Sequence, residues 1–332
     1  MKPILFNQKL WIFLIIALSV VFPFLTGQSS YFMSLFMMMC IYSIASMSLN
    51  LLVGFGGQVS VGNAGFLIIG GYTVAILAAT FQLPIWILLP IAGILTGIVG
   101  LLIGIPAVRL SGHFLAVATL GFGISIPQIA LNWDTITNGY AGLSVSRPDL
   151  LSSDLNLFYF IVLVTLVVFW LLKNIVYSVF GRAFIAIRDS EVAAQSIGIN
   201  VSFYKTIMFA ISSFFTGIAG GLYAYWFGFV SPNDFSIMTS LLLLAGIIVG
   251  GLASIPGAVI GAVFLTVIPH FTDAYIGITN IVIGIALILV IMFKPDGIVH
   301  LFNFSKKSVE NQSEEETPLA AMEGGRAQNA KF

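Results

Sequence analysis

The chain has 332 residues, of which 59% are hydrophobic and only 8% are charged, with 13 basic and 13 acidic residues in balance. Soluble domains carry about 25% charged residues, so this composition excludes an ordinary soluble protein and gives no basic surface for nucleic acid. We expect an integral membrane protein that contacts the lipid bilayer.

Long apolar runs recur along the chain and predict an all-α, polytopic membrane bundle of about ten transmembrane helices. The runs are continuous rather than alternating, and a helix in hydrocarbon satisfies its own backbone hydrogen bonds. The eighth and ninth runs are short, which leaves a kinked or re-entrant path open. The predicted spans are Leu10–Thr26, Tyr31–Val53, Gly65–Phe81, Pro84–Gly104, Phe114–Trp133, Leu157–Leu172, Thr206–Phe227, Ser236–Val249, Gly257–Pro269 and Ile276–Phe293.

Basic residues divide unequally between the two sides of these spans. With the amino terminus inside, Arg147 alone falls outside, so the positive-inside rule favours both termini on the cytoplasmic side. A count that is wrong by one pair of spans would fit nearly as well. The basic residues placed inside are Lys2, Lys9, Arg109, Lys173, Arg182, Arg188, Lys205, Lys294, Lys306 and Lys307.

A glycine-rich stretch, Gly54–Gly65, separates the second and third spans, and Gly250–Gly257 repeats its G-G-x-x-S spacing. Broken helices of this kind can expose neutral polar groups to a water-filled path, whereas small residues also serve tight helix packing alone. Both interpretations stay open. The candidate pathway residues are Gln58, Ser60, Asn63, Asn132 and Ser254.

The predicted spans contain no Asp, Glu, Lys or Arg near their middle, which disfavours a proton-driven carrier. Sodium coupling stays open, because backbone carbonyls can bind that ion. The chain lacks a phosphate-loop motif, so active transport would take its energy from another subunit.

An enzyme is not expected, because Ser60 has no base nearby in a sequence whose histidines, His113, His270 and His300, are scattered. Cys40 is the single cysteine, which excludes an intrachain disulfide and argues against a cysteine metal site. We therefore expect no catalytic residue, no metal site and no cofactor bound by this chain.

A polar segment over about residues 180–200, which reads GRAFIAIRDSEVAAQSIGIN, interrupts the apolar sequence. Asp189 is the predicted N-cap of a two-turn helix, Glu191 suits the positive end of its dipole, and Gly198 suits a left-handed end. Such a helix could dock on a soluble partner or lie on the membrane surface. The segment belongs to a predicted transmembrane domain over residues 1–302, and composition predicts a disordered, cytoplasmic tail over 303–332.

The polar segment and the following VSFYKTIMFAISSFFTGIAGGLYAY resemble the permease subunits of branched-chain amino-acid ABC transporters, in particular their LivM-like branch. So do LNLLVGFGGQVSVGNAGF, RLSGHFLAVATLGFG, GGLASIPGAVIGAV and the closing KPDGIV, in the family's order from about Leu49 to Val299. Asn63, Asn138 and Ala258 depart from residues frequent in the family, which weakens any transfer of fine substrate preference.

The resemblance implies an ABC-importer permease fold in the bacterial plasma (inner) membrane, with four kinds of partner: a second homologous permease subunit, two ATP-binding subunits that hold ATP and Mg²⁺, an extracytoplasmic solute-binding protein, and lipid. Leucine, isoleucine and valine are the implied substrates; urea or short amides are an alternative, and a sodium-coupled secondary transporter is the alternative from another class. The resemblance also implies which residues of this chain couple it to an ATP-binding subunit. They are Gly181, Arg182, Ala183, Arg188, Asp189, Glu191, Ala193, Ala194 and Gly198.

Overall fold

A computed structural model describes residues 21–81, 83–110, 112–272, 278–293 and 297–299. The predicted first span lies outside the described residues apart from its last few, and so does the whole predicted tail. Within the described residues the chain is a bundle of α-helices, which confirms the predicted fold class.

Twelve α-helices are described between residues 30 and 293. They are α1 (Ser30–Asn50, extended by a π-helical turn over Leu51–Phe55), α2 (Asn63–Phe81), α3 (Ile85–Ala107), α4 (His113–Asn132), α5 (Asp134–Thr137), α6 (Asp154–Tyr177), α7 (Val179–Asp189), α8 (Glu191–Ser196), α9 (Val201–Phe227), α10 (Ile237–Gly250), α11 (Ile255–Thr272) and α12 (Ile278–Phe293). Two short strands, β1 (Leu143–Ser144) and β2 (Phe229–Val230), pair in antiparallel fashion.

Seven of these helices, α1, α2, α3, α4, α6, α9 and α11, are long and apolar enough to cross a membrane. Helix α10 and the core of α12 are shorter apolar helices, so the described residues hold nine candidate membrane helices against the ten predicted. The expectation that the ninth span is short was wrong. The predicted span ends at Pro269, but α11 continues through this proline to Thr272, and Pro256 lies in its first turn, where proline is tolerated.

Helix α9 lies at the centre of the bundle, packed against α1, α2 and α3. A Cβ on Gly217 would lie 2.4 Å from Oγ1 of Thr96 in α3, and one on Gly220 would lie 2.1 Å from the carbonyl oxygen of Leu67 in α2. Any side chain at either position would collide, so glycine allows the helix backbones to approach this closely.

Two polar regions lie at opposite ends of α9, about 40 Å apart, which is the length of a 27-residue helix. Helices α7 and α8 lie at its amino-terminal end, hereafter the coupling end, and β1 and β2 lie at the other, the strand end. At the strand end Arg147 donates to the carbonyl oxygens of Tyr225 and Trp226 and pairs with Asp154 at 2.7 Å. The guanidinium thereby satisfies carbonyls that the last turn of α9 leaves free.

Candidate functional site

Neutral hydrogen-bonding side chains meet in the buried centre, where α1, α2 and α9 cross. The hydroxyls of Ser48 and Thr216 lie 2.7 Å apart, and Thr216 donates to Oδ1 of Asn63 at 3.2 Å. Ser212 adds a 2.7 Å bond to the carbonyl oxygen of Ser48. Among the described residues, Lys205 is the one buried side chain of the Asp, Glu, Lys and Arg types, so this centre carries polarity without charge.

The predicted pathway residues fall in three places. Gln58 and Ser60 are buried in the segment that connects α1 to α2, and Asn63 is buried at the first position of α2. Gln58 contacts the sulfur of Met208 at 3.9 Å. Ser254 is half-buried in the loop between α10 and α11. Asn132 is exposed at the end of α4, where its amide bonds to Gln128 of its own helix. The structure therefore groups the first three and leaves Asn132 apart from them.

Asn50, which the sequence analysis did not select, joins the two glycine-rich stretches. Its Nδ2 donates to the carbonyl oxygens of Ser254 at 2.8 Å and Gly251 at 3.4 Å, and its Oδ1 accepts from the Ala253 N–H at 3.0 Å. Its side chain is fully buried. A Cβ on Gly54 would lie 2.4 Å from the Ala253 nitrogen, so the two stretches with similar spacing pack directly against each other.

The π-helical turn Leu51–Phe55 offers a backbone acceptor to the coupling end. Arg188, near the end of α7, donates from Nη1 to the carbonyl oxygen of Gly54 at 3.1 Å. A Cβ on Gly57 would lie 2.8 Å from Cγ of Arg188, so the arginine side chain lies against the glycine-rich backbone. Through Gly54 and Asn50, this contact links the coupling end to the loop before α11.

The polar segment forms two helices rather than one, and Asp189 ends α7 instead of capping α8. Ser190 is the N-cap, because its extended backbone breaks the helix and its hydroxyl accepts from the Ala193 N–H at 3.3 Å. The Asp189 carboxylate is held by both Nε and Nη2 of Arg188, at 3.0 and 2.9 Å. The predicted cap was therefore wrong by one residue, because the neighbouring serine takes that role.

Helix α8 is fixed to the bundle on one side and free on the other. Ala194 packs with Ile187 of α7 and Val201 of α9 in a small buried cluster. Val192 and Ile197, in contrast, are 76% and 74% exposed. Of the predicted coupling residues, three are buried and six are exposed. The buried ones are Gly181, Ala183 and Ala194, and the exposed ones are Arg182, Arg188, Asp189, Glu191, Ala193 and Gly198.

Helix α8 ends in a left-handed glycine, as the sequence predicts. Gly198 has a φ of +86°, its N–H bonds to the carbonyl of Gln195 at 2.9 Å, and the Ile199 N–H bonds to the carbonyl of Ala194 at 3.0 Å. This pair of bonds is a Schellman motif. No heavy atom lies within 4 Å of a Cβ built on Gly198, so backbone conformation alone requires the glycine.

We expect Gly198→Val to disfavour this helix end by about 1–2 kcal/mol, because the left-handed region is unfavourable for a β-branched residue. If this helix end docks on the ATP-binding subunit that the resemblance implies, the variant should show weaker retention of that subunit during purification in detergent. Gly198→Asn is the matched control, because asparagine tolerates left-handed backbone and should retain the partners. Equal retention by the valine variant would contradict a docking role for this helix end.

An ion pair connects α8 to α9 beneath this surface. Lys205 Nζ lies 2.5 Å from Oε1 of Glu191, with the lysine side chain only 7% exposed. These two residues, with Gly57, Gln58 and Arg188, line a cleft of about 280 Å³ between the coupling helices and the glycine-rich stretch. The cleft places these charged side chains beside Gln58, a neutral residue of the glycine-rich stretch.

Removing the negative partner should leave a buried ammonium unpaired. We expect Glu191→Gln to lower the free energy of unfolding by about 1–2 kcal/mol, less than a fully buried pair because water screens the half-exposed carboxylate. The thermal midpoint of the solubilised protein measures this change. Adding Lys205→Met to the Glu191→Gln variant should restore most of the lost stability. A double variant no more stable than Glu191→Gln would contradict the pairing.

Comparison with known proteins places this chain in a family. Residues 31–291 match the family described as "Branched-chain amino acid transport system / permease component". The high-affinity branched-chain amino acid transport system permease proteins LivM of Salmonella typhimurium and Escherichia coli K12 are each 31% identical, over 88% of this chain and 75% of their own length. LivH of Escherichia coli K12 is 30% identical over 37% of this chain and 40% of its own. No solved structure matches.

Proposed function

The chain belongs to the family of branched-chain amino acid transport system permease components, and from this premise we propose that it carries leucine, isoleucine and valine across the membrane as one permease subunit of an ATP-binding-cassette importer. It is a transport subunit, a multi-pass membrane protein rather than an enzyme. The observation that carries the proposal is the match over most of the chain to permeases of the LivM kind.

The proposed assembly pairs this chain with a second, related permease. The chain is similar to both LivM and LivH proteins. This similarity supports an importer with two homologous permease subunits. Two ATP-binding subunits, which bind ATP and Mg²⁺, complete the importer, and a solute-binding protein delivers the substrate from outside. The chain's lack of a phosphate-loop motif agrees with a motor on separate subunits.

The proposed coupling element consists of α7 and α8, docked on an ATP-binding subunit. Its exposed face carries the apolar side chains of Val192 and Ile197 together with charged groups, the chemistry of a protein interface. The coupling end then faces the cytoplasm and the strand end faces outward. Closure of the motor subunits would move α7, and the Arg188 contact with Gly54 would pass that movement to α1 and α11.

The buried centre suits small solutes that pass without a net charge. Its hydroxyls and amides, from Ser48, Asn63 and Thr216, offer hydrogen bonds to a zwitterion without a strong ion site. Urea and short amides would use the same groups, so they are the alternative substrates. A sodium-coupled carrier is the alternative from another class.

Uptake by proteoliposomes that contain the purified complex and its solute-binding protein tests the proposal. We expect labelled leucine to accumulate when ATP and Mg²⁺ are enclosed inside, and to accumulate equally with or without a sodium gradient. A sodium gradient that drives uptake without ATP would contradict the importer and support the secondary carrier.

A further inference from the structure

The loop between α9 and α10 reaches deep into the bundle from the strand end. Val230 is fully buried, and a Cβ built on Gly71, the ninth of the 19 residues of α2, would lie 3.5 Å from its side chain. Phe235 is also buried, and its ring lies 4.5 Å from that of Tyr223 in α9. The loop therefore descends to the middle of α2, and α10, which follows it, is correspondingly short.

This loop carries a half-buried carboxylate, Asp234, that has no cationic partner. One of its oxygens accepts the Ser231 N–H at 2.7 Å, and no basic side chain in the described part of the chain lies within ion-pair distance. Burial raises the pKa of the Asp234 carboxyl above its ordinary value, and the Ser231 bond opposes that rise. The one bond to the Ser231 N–H does not fully satisfy a half-buried carboxylate, and its other oxygen accepts no hydrogen bond from the described residues.

Two buried hydroxyls without a partner lie on helices of this part of the bundle. Tyr72 in α2 directly follows Gly71, which faces Val230 of this loop, and the ring of Tyr223 in α9 lies 4.5 Å from that of Phe235, the residue after Asp234. Tyr72 is 5% exposed, yet its hydroxyl has no hydrogen-bond partner, and the hydroxyl of Ser46, one turn from Tyr42 on α1, has none either. Buried hydroxyls usually have a partner, and these two are the exceptions among the described side chains.

We propose that Asp234 and the Tyr72 hydroxyl bind the ammonium group of the transported amino acid, with the Tyr223 ring beside it. This inference rests on the proposed function and adds the substrate group that the permease itself recognises. In the proposed orientation the site lies on the outward side of the neutral centre, where an arriving solute reaches it first.

The chemistry of a primary ammonium fits these groups. It has three N–H donors and a positive charge, so it can make a charge-assisted bond to the free oxygen of Asp234 and a second bond to the Tyr72 oxygen. The face of the Tyr223 ring attracts a cation as well. Urea has no charge to meet the carboxylate, so the site favours amino acids over the alternative substrates.

Titration calorimetry on the purified complex, without the solute-binding protein, tests this site. The probes are leucine, 3-methylbutylammonium, which lacks the carboxylate, 4-methylpentanoate, which lacks the ammonium, and sodium chloride. We expect the first two to bind and the last two to give no binding. Asp234→Asn should weaken the binding of leucine and of 3-methylbutylammonium at least about tenfold, because the negative charge is lost. The amide oxygen of the asparagine still accepts the Ser231 N–H.

Two further variants serve as references. Asp234→Glu keeps the charge and should recover part of the affinity, and Asp149→Asn, which removes an exposed carboxylate near the strand end, should leave it unchanged. The thermal midpoint of Asp234→Asn should equal that of the parent protein, since the loop bond persists.

Several outcomes would overturn the proposal: no binding of 3-methylbutylammonium by the parent complex, equal binding by Asp234→Asn, or binding of 4-methylpentanoate. Sodium binding that requires Asp234 would identify the site as a sodium site instead. If the amine binds through Asp234 but leucine is not transported, the proposed substrate is wrong and the ammonium site stands. If leucine is transported normally by Asp234→Asn, the site falls and the proposed function stands.

Discussion

Arg188→Ala should lower ATP-driven leucine uptake at least about tenfold while the ATP-binding subunits stay attached and active. The substitution removes the bond from Nη1 to the Gly54 carbonyl and releases Asp189. A hydrogen bond from a charged group contributes about 1.5–3 kcal/mol, which corresponds to roughly a ten- to hundredfold change in a coupled equilibrium. Uptake and ATP hydrolysis, measured on the same proteoliposomes, report the ratio of transport to hydrolysis.

Arg109→Ala is the matched control for this prediction. Arg109 is an exposed arginine beyond the end of α3, outside the coupling segment, and its removal should change neither rate. Leucine uptake by Arg188→Lys should lie between that of the parent protein and that of Arg188→Ala. Lysine keeps the positive charge but lacks the planar guanidinium that bonds to both Gly54 and Asp189. Parallel loss of uptake and hydrolysis in Arg188→Ala would show that the residue supports assembly rather than transmission.

Asn50→Ala should strongly destabilise the described core. It leaves the part-buried Ala253 N–H and the part-buried carbonyl oxygen of Ser254 without their partner, and it opens space beside Gly54. Each such unsatisfied group costs about 1–3 kcal/mol, so we expect a total loss of about 2–4 kcal/mol. The protein's amount in membranes should fall several-fold, and its thermal midpoint in detergent should drop.

Asn156→Ala tests whether this effect belongs to Asn50 or to any asparagine. Asn156 is exposed, and its amide makes one bond, to the Leu150 carbonyl, near the strand end. Its loss should change stability by less than about 0.5 kcal/mol. Similar stability of the two variants would contradict a structural role for the contact between the two glycine-rich stretches.

The sequence predicts most of the fold, because continuous apolar runs long enough for a bilayer have few alternatives to a helix. Nine of the ten predicted spans, beginning with the second, coincide with α1, α2, α3, α4, α6, α9, α10, α11 and α12 within a few residues at most ends. Gly198 was also predictable, because a glycine after a short polar helix is typical of a left-handed end. The family resemblance, drawn from motifs in order, is confirmed by the match over residues 31–291.

Features that depend on distant contacts were not predictable. Asn50 bonds to Ala253, 203 residues away, and a single asparagine at the end of an apolar run does not identify such a partner. Asp189 and Ser190 are both good helix caps, so local sequence could not decide between them. Asp234 stands in a short polar loop that reads as an ordinary connection, and only the burial of Val230 and Phe235 shows how deep that loop lies.

Uptake of labelled leucine, in cells that lack this gene and in cells with the gene restored, tests the central claim most directly. Unlabelled valine and urea serve as competitors. We predict uptake that depends on the gene, that is blocked by valine and that is unaffected by urea. Leucine uptake that is unchanged by loss of the gene, or restored uptake that urea blocks and valine does not, would contradict a branched-chain amino acid permease.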